Sequence, residues 1–161
     1  AGIATFGICV SDVAEKVTSV EENSSSIQKA KEVLKSNNIK NVELFAQDTL
    51  RYLKSIKKKF DIIILDPPRK GCTQEVLDEV LRHLKSNHSK AESDEILRSA
   101  QNDAIAEGAS KGKIIYVSCN PATLARDLKY LTEHGAKVES IQPFDMFCHT
   151  YHIENVAIIN L

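Results

Sequence analysis

The sequence predicts an α/β fold in which helices cover a mostly parallel, doubly wound sheet that ends in an antiparallel strand. Short apolar runs alternate along the chain with segments of helical periodicity. The run at residues 60–65 is continuously apolar, which is typical of parallel strands covered on both faces. Polar side chains follow several of these runs at once. Because open α/β sheets bind ligands at the carboxyl ends of their strands, these side chains are candidate functional residues.

Length and composition narrow the class of protein. We expect one domain over residues 1–161, and a net charge of -1 argues against a strong overall attraction to nucleic acids or membranes. No apolar run approaches the roughly 20 residues that cross a bilayer. The four cysteines are widely spaced and form no C-x-x-C pair, which argues against a zinc site and indicates reduced thiols in a cytoplasmic protein.

The first elements resemble a nucleotide-binding arrangement. A glycine-bearing loop at residues 1–7 precedes a helical segment and a strand at residues 17–21, which ends in an acid. On these residues alone, Glu21 fits two interpretations equally well. It can bind ribose hydroxyls, or it can form a solvated acid pair with Glu22 ahead of the next helix.

A helix and a strand follow in the same half of the chain. A serine cap and an apolar residue every three or four positions predict an amphipathic helix over residues 24–37. Alternation predicts a strand over residues 42–46, and a short helix comes next. Asp48 lies just past that strand, where a helix N-cap is the commoner role for such an aspartate.

The strand at residues 60–65 runs into Asp66-Pro-Pro-Arg-Lys-Gly71. Two prolines end the ladder and fix a rigid, extended turn, which holds Asp66 and Arg69 at the strand's tip. The alternative is purely structural, because Asp-Pro is a common turn starter. A helix is predicted over residues 74–85. Residues 86–112, polar and without a periodic face, are predicted to be a surface insertion without a catalytic role.

A second strand tip carries a cysteine. The β-branched run at residues 114–117 predicts a buried strand that stops at Ser118-Cys119-Asn120-Pro121. Asn120 suits a helix N-cap and Pro121 the first helical position. A helix N-terminus stabilises a thiolate, so Cys119 is a candidate nucleophile. The alternative is a buried structural thiol, since free cysteine is among the most buried residue types.

The remainder predicts a helix ending near Gly135 and strands at residues 137–141 and 156–161. Between the strands lies a polar His-Thr-Tyr-His segment. His149 and His152 have no third metal ligand nearby, so we expect no metal in this domain.

Three segments together carry a resemblance to a known family: Asp66-Pro-Pro-Arg-Lys-Gly71, Ser118-Cys-Asn-Pro-Ala-Thr-Leu-Ala-Arg-Asp127 and Phe144-Asp-Met-Phe-Cys-His-Thr-Tyr-His-Ile-Glu154. As a set they resemble the RNA uracil-5-methyltransferases, which use S-adenosylmethionine to make 5-methyluridine in transfer and ribosomal RNA. The resemblance extends in order from Gly2 to the end of the chain. It implies a Rossmann-like class I methyltransferase sheet whose first strand precedes Ala1.

The resemblance also implies roles for individual residues. Cys119 matches the nucleophile that adds to C6 of uracil, Glu154 the base that removes the C5 proton, and Asp66 the acid that hydrogen-bonds the pyrimidine. The remaining matches are Arg69, Asn120 and His149 for the substrate, and Gly2, Glu21, Asp48 and Asp66 for S-adenosylmethionine. The implied partner is transfer or ribosomal RNA, bound through a full-length protein with an N-terminal RNA-binding domain. We expect a monomer.

The sequence departs from the family in three respects: the first strand and the part before it are missing, Ala4 stands where glycine is usual, and Cys148 replaces a proline while the insertion at residues 86–112 is long. These departures leave open a rival of another class, a non-catalytic domain that binds RNA or protein. A methyltransferase acting on an exocyclic amine is a further alternative. In enzymes of that kind an aromatic residue normally follows the acid-Pro-Pro sequence. Arg69 stands at that position here, and both Arg69 and Cys119 argue against this alternative.

Overall fold

The computed structural model describes residues 2–84, 112–146, 149–150 and 153–161. The chain forms two compact units, Ala1–Lys57 and Lys58–Leu161. The predicted insertion lies outside the described residues except for Gly112, and so do Cys148 and His152. Within the described part of the chain, no helix combines the length and apolarity that crossing a bilayer requires. The prediction of one domain over residues 1–161 stays a prediction.

The first unit is a two-stranded parallel sheet with helices. Strands β1 and β2 pair from Val17 opposite Val42 to Glu21 opposite Ala46, so their carboxyl ends lie side by side. The elements in chain order are α1 (Thr5–Cys9), β1 (Val17–Glu21), α2 (Ser24–Ser36), β2 (Val42–Ala46) and α3 (Thr49–Ser55).

Helix α2 is the amphipathic helix that the sequence predicts. Its buried face consists of Ile27, Ala30 and Leu34. The predicted serine cap is wrong: the N-cap is Asn23, whose side chain accepts hydrogen bonds from the backbone N–H groups of Ser25 and Ser26. An asparagine carbonyl caps a helix as well as a serine hydroxyl does, so a run of Asn and Ser leaves the first turn ambiguous.

The second unit is a four-stranded mixed sheet in the order β3-β4-β6-β5. Strands β3 and β4 are parallel, and β6 runs antiparallel to both β4 and β5. The predicted α/β class with a mostly parallel arrangement and a late antiparallel strand is confirmed. The elements are β3 (Ile62–Leu65), α4 (Gln74–His83), β4 (Lys113–Ser118), α5 (Pro121–Glu133), β5 (Lys137–Phe144) and β6 (Glu154–Asn160).

The core of this unit lies against β4 and β6. Every second residue of each strand is buried, including Ile114 and Tyr116 of β4 and Ile159 of β6. Helix α5 buries Leu124, Leu128 and Leu131. Alternating burial is typical of a strand with one face on the core and the other face more exposed. It shows which side chains of β4 point into the core.

Two details of the predicted strands are wrong. Strand β3 is not covered on both faces, since Ile62 is 53% exposed; within the described residues its ladder partner is β4 alone. Strands β5 and β6 extend further toward each other than the apolar pattern indicates, and Phe144 pairs with Glu154. Cross-strand backbone hydrogen bonds carry the ladder into polar residues, which periodicity does not detect.

Candidate active site

Three predicted catalytic residues lie at one edge of the four-stranded sheet. Asp66 directly follows β3, and Cys119 directly follows the neighbouring β4. Strand β6 enters from the opposite direction, so its first residue, Glu154, lies one position beyond the last β4–β6 pair, Ser118 opposite Asn155. Opposed positions of antiparallel strands lie about 5 Å apart at Cα. The topology therefore brings a thiol and two carboxyl groups to a common edge.

The turn that holds Cys119 is locally well ordered. The Ser118 hydroxyl accepts a hydrogen bond from the backbone N–H of Asn120 at 3.2 Å. The Asn120 carbonyl oxygen, Oδ1, accepts one from the N–H of Ala122 at 3.1 Å, and Pro121 opens the helix. The predicted cap is thus confirmed, and Cys119 is half-buried immediately before the 13-residue helix α5.

The other described thiol of this unit is Cys72. Burial raises the pKa of Cys72 to about 11, although a hydrogen bond with Tyr116 works in the opposite direction. A thiol with that pKa stays protonated near neutral pH and is a poor nucleophile. Of the described cysteines in this unit, Cys119 is therefore the one suited to attack a substrate.

Glu154 is the carboxyl group best suited to act as a base. Burial raises its pKa above the ordinary value, and the negative charge of Asp66 raises it further. A carboxylate with a raised pKa accepts a proton more readily than an exposed one. The adjacent Asn155 donates from Nδ2 to the backbone carbonyl of Ser118 at 3.3 Å, which ties the start of β6 to the turn that carries Cys119.

The loop at residues 66–72, called the Pro-Pro loop below, contacts the same turn. The Nδ2 of Asn120 and the hydroxyl of Thr123 donate to the backbone carbonyl of Arg69 at 3.2 and 3.1 Å. Arg69 itself is exposed. His149 is also exposed and has a φ of 62°, and no described contact brings it to the three catalytic candidates.

Three of the four predicted cofactor residues, Gly2, Glu21 and Asp48, lie in the first unit, and the fourth, Asp66, lies in the second. The Glu21 carboxylate accepts hydrogen bonds from the backbone N–H of Gly2 at 2.7 Å and of Asn23 at 2.9 Å. Partial burial raises the pKa of Glu21, but these hydrogen bonds outweigh it and the pKa lies below its ordinary value. The glycine loop and the acid that ends β1 are therefore in contact, and the role of Glu21 in binding ribose stays a prediction.

Two further residues of the first unit bear on the predicted cofactor site, Ala4 and Asp48. Ala4 is buried and has a φ of 62°, a left-handed conformation that favours glycine, which explains why glycine suits this position. Asp48 accepts a hydrogen bond from the N–H of Arg51 at 2.9 Å and so caps α3. The helix-cap role predicted as the commoner one is confirmed; a carboxylate has further lone pairs, so capping leaves room for a ligand.

Sequence reasoning missed a buried polar cluster. Asp127 is 2% exposed and accepts hydrogen bonds from the Tyr116 hydroxyl at 2.5 Å, the Cys72 N–H at 2.8 Å and the Arg126 Nε at 2.8 Å. Its position in the sequence could have indicated that Asp127 is buried, because it lies on the apolar face of α5, three residues after Leu124. A buried carboxylate there requires partners.

Gly71 is predicted to tolerate no side chain, because it packs against this cluster. Its φ is 75°, and a Cβ would lie 2.6 Å from both Arg126 Nη2 and Asp127 Oδ2. Gly71→Ala is expected to lower the free energy of unfolding by roughly 2–4 kcal/mol, combining backbone strain with overpacking. Urea denaturation measures this free energy.

Gly135→Ala is the control. The φ of Gly135 is 92° and an added Cβ would have no atom within 4 Å, so backbone strain alone costs roughly 1–2 kcal/mol. Equal losses for the two variants would contradict the packing argument.

Comparison with known proteins agrees with this arrangement. A family model described as methyltransferase domain matches residues 4–147. An uncharacterized RNA methyltransferase of Thermotoga maritima is 37% identical over 99% of this chain, which spans 30% of that protein's length. The chain spans a similarly small share of other curated relatives that it matches.

Solved structures show the same fold. A precorrin-6y C5,15-methyltransferase from Geobacter metallireducens superposes with a TM-score of 0.71 at 18% identity, covering 100% of this chain and 76% of that chain. A Streptococcus mutans protein solved in complex with SAH gives a TM-score of 0.63 at 17% identity, with 99% and 84% covered. With the family model matched over most of its length, this chain belongs to the methyltransferase domain family.

Proposed function

We propose that this chain is the methyltransferase part of an enzyme that transfers a methyl group to C5 of a uridine in transfer or ribosomal RNA. The observation that carries the proposal is the common sheet edge of Cys119, Glu154 and Asp66. These are also the residues that match the uracil-5-methyltransferase motifs. The similarity to proteins named RNA methyltransferases supports RNA as the substrate.

The first chemical task is to make C5 of uracil nucleophilic. The Sγ of Cys119, as a thiolate, attacks C6 and forms a covalent Sγ–C6 bond. The electron pair of the C5=C6 double bond moves toward the C4 carbonyl and leaves an enolate. Cys119 suits this step because it is half-buried at the end of β4, on the sheet edge that also carries Asp66 and Glu154. C5 of the enolate then forms the new bond to a methyl carbon that the sulfonium of S-adenosylmethionine would supply, and the electron pair of the broken S–CH3 bond would remain on that sulfur.

The second task is to restore the aromatic base. C5 now carries both the methyl group and its original proton, and the carboxylate of Glu154 accepts that proton. The electron pair of the broken C–H bond re-forms C5=C6, the Sγ–C6 bond breaks, and Cys119 leaves as a thiolate. Glu154 suits this role because its pKa is raised and because it begins the strand beside Cys119.

Other residues hold the substrate. Asp66 hydrogen-bonds the polar edge of the pyrimidine and stabilises the enolate, while the exposed Arg69 meets a phosphate or orients its loop. Asn120 acts on the substrate through the turn, because its amide already contacts the helix N-terminus and the Arg69 carbonyl. His149 contacts RNA in the bound state. The target uridine must leave its stack to reach these groups.

The residues of the first unit fit S-adenosylmethionine. Glu21 is the last residue of a parallel strand, where the carboxylate of a nucleotide-binding sheet binds the ribose hydroxyls. Gly2 brings backbone close to that carboxylate, and Asp48 would accept a hydrogen bond from the adenine amine; Asp66 also matches the family's cofactor residues. When bound, S-adenosylmethionine supplies an electrophilic methyl group.

The test uses the full-length protein that contains this chain. It is incubated with S-adenosylmethionine carrying a tritiated methyl group and with unmodified transfer and ribosomal RNA, and the digested RNA is analysed by nucleoside. Labelled 5-methyluridine is the expected product. Label in another nucleoside would overturn the C5 assignment. Absence of transfer together with retained RNA binding would support the non-catalytic rival.

A further inference from the structure

The Pro-Pro loop is fixed to α5 through its backbone. Its contacts to the helix involve three of its carbonyl groups and one N–H. The Arg69 carbonyl accepts from Asn120 and Thr123, the Lys70 carbonyl from Arg126 at 2.9 Å, and the Cys72 carbonyl from Arg126 at 3.1 Å. The Cys72 N–H donates to Asp127.

Asp127 and Arg126 form the centre of this attachment, and Tyr116 extends it into the sheet. The Arg126 Nη2 lies 2.7 Å from Asp127 Oδ1, and the hydroxyl of Tyr116 donates to Oδ2. Burial raises the pKa of Tyr116, and its hydrogen bond to Asp127 raises it further, so the hydroxyl stays a proton donor. We call Tyr116, Arg126 and Asp127 the loop clamp.

The clamp joins two halves of the candidate active site. Asp66 and Arg69 belong to the Pro-Pro loop, and Cys119 lies on the turn between β4 and α5. Tyr116 comes from β4 and Asp127 from α5, the two elements that flank Cys119. The loop is therefore attached to the elements that also determine where the thiol lies.

We propose that the loop clamp is a positioning device for methyl transfer, which fixes the distance between the acid of the Pro-Pro loop and the nucleophilic Cys119. The inference rests on the proposed function, because it concerns the reaction of these two groups. The clamp residues are not catalytic residues. They act through the loop backbone, and a displacement of about 1 Å at reacting groups reduces a rate by about a hundredfold.

Asp127→Asn and the milder Tyr116→Phe test the inference in the full-length protein. An asparagine amide cannot accept from three donors as a carboxylate does, so the loop is expected to loosen. Asp127→Asn should slow single-turnover transfer of tritiated methyl into RNA by about a hundredfold and Tyr116→Phe by about tenfold, with KM for RNA changed by less than about threefold. Hydrogen exchange at the Cys72 amide should accelerate in both.

Tyr130→Phe is the matched control. It also removes a tyrosine–aspartate hydrogen bond from α5, but this bond runs to Asp78 of α4 at 2.7 Å and touches no residue of the loop. Transfer rate and Cys72 exchange should stay at the wild-type values. A loss of activity equal to that of Tyr116→Phe would mean that the clamp effect is general destabilisation, and would overturn the inference.

The outcomes separate this inference from the proposed function. If the wild-type protein methylates any position other than C5 of uridine, the proposed function is refuted. The ratio of the variant rates to the wild-type rate still tests the clamp in that case. Wild-type 5-methyluridine formation with undiminished rates in both clamp variants refutes the clamp alone. Unchanged exchange at Cys72 refutes it as well. A wild-type protein without transfer refutes both.

Discussion

Replacing Cys119 by alanine is expected to abolish 5-methyluridine formation, with a rate loss of at least about 10⁴-fold, because covalent activation of C6 has no substitute in the site. The measurement is tritiated methyl transfer by the full-length protein. S-adenosylmethionine binding should persist, since Cys119 is not among the proposed cofactor residues Gly2, Glu21, Asp48 and Asp66. The variant should also form no covalent complex with RNA.

Cys9→Ala is the control for this prediction. Cys9 is an exposed thiol on α1 of the first unit and is not among the proposed site residues. It should transfer methyl groups at the wild-type rate, within about twofold. Retained 5-methyluridine formation by Cys119→Ala would rule out the covalent route, and the proposed mechanism with it.

Replacing Glu154 by glutamine is expected to stop the reaction one step later. The thiolate still adds and C5 is still methylated, but glutamine does not accept the C5 proton. The protein should remain attached to methylated RNA, seen as a complex that resists denaturing electrophoresis. Turnover should fall by about 10²–10⁴-fold. The two substitutions therefore give opposite results on the same gel.

The pH dependence provides a second readout for Glu154. Burial and the charge of Asp66 raise its pKa, so the base is protonated over a wider acidic range than an ordinary glutamate. The rate of adduct breakdown should rise with pH through that raised pKa and level off above it. In Glu154→Gln this rise should vanish. Turnover without adduct, or an unchanged pH profile, would assign the base to another group.

The arrangement of chemistry-bearing residues was predictable because strand tips are well marked in sequence. Apolar runs end sharply before Asp66 and Cys119, and prolines follow within two residues of each. The Asn120 cap follows from the same local signals, whereas the pairing of β3 with β4 is known only from the assembled sheet.

The rest depends on contacts between distant residues. Asp127 meets Cys72 across 55 positions of the chain, and no local pattern indicates that the two will be adjacent. The order in which β6 inserts between β4 and β5 is likewise a property of the assembled sheet. The exposure of Ile62 also depends on the position of β3 in the sheet. An apolar run has the same sequence pattern in an edge strand as in a central strand, so the pattern does not predict which of the two it forms.

The place of β6 has a consequence for how the protein is made. This strand comes last in the sequence, yet it lies between β4 and β5 and bonds to both. A growing polypeptide thus contains Cys119 before Glu154 has been translated. Until residue 160 has been added, the sheet lacks the complete strand that joins β4 to β5. On the proposed mechanism, a nascent or prematurely terminated chain would therefore be unable to complete a turnover.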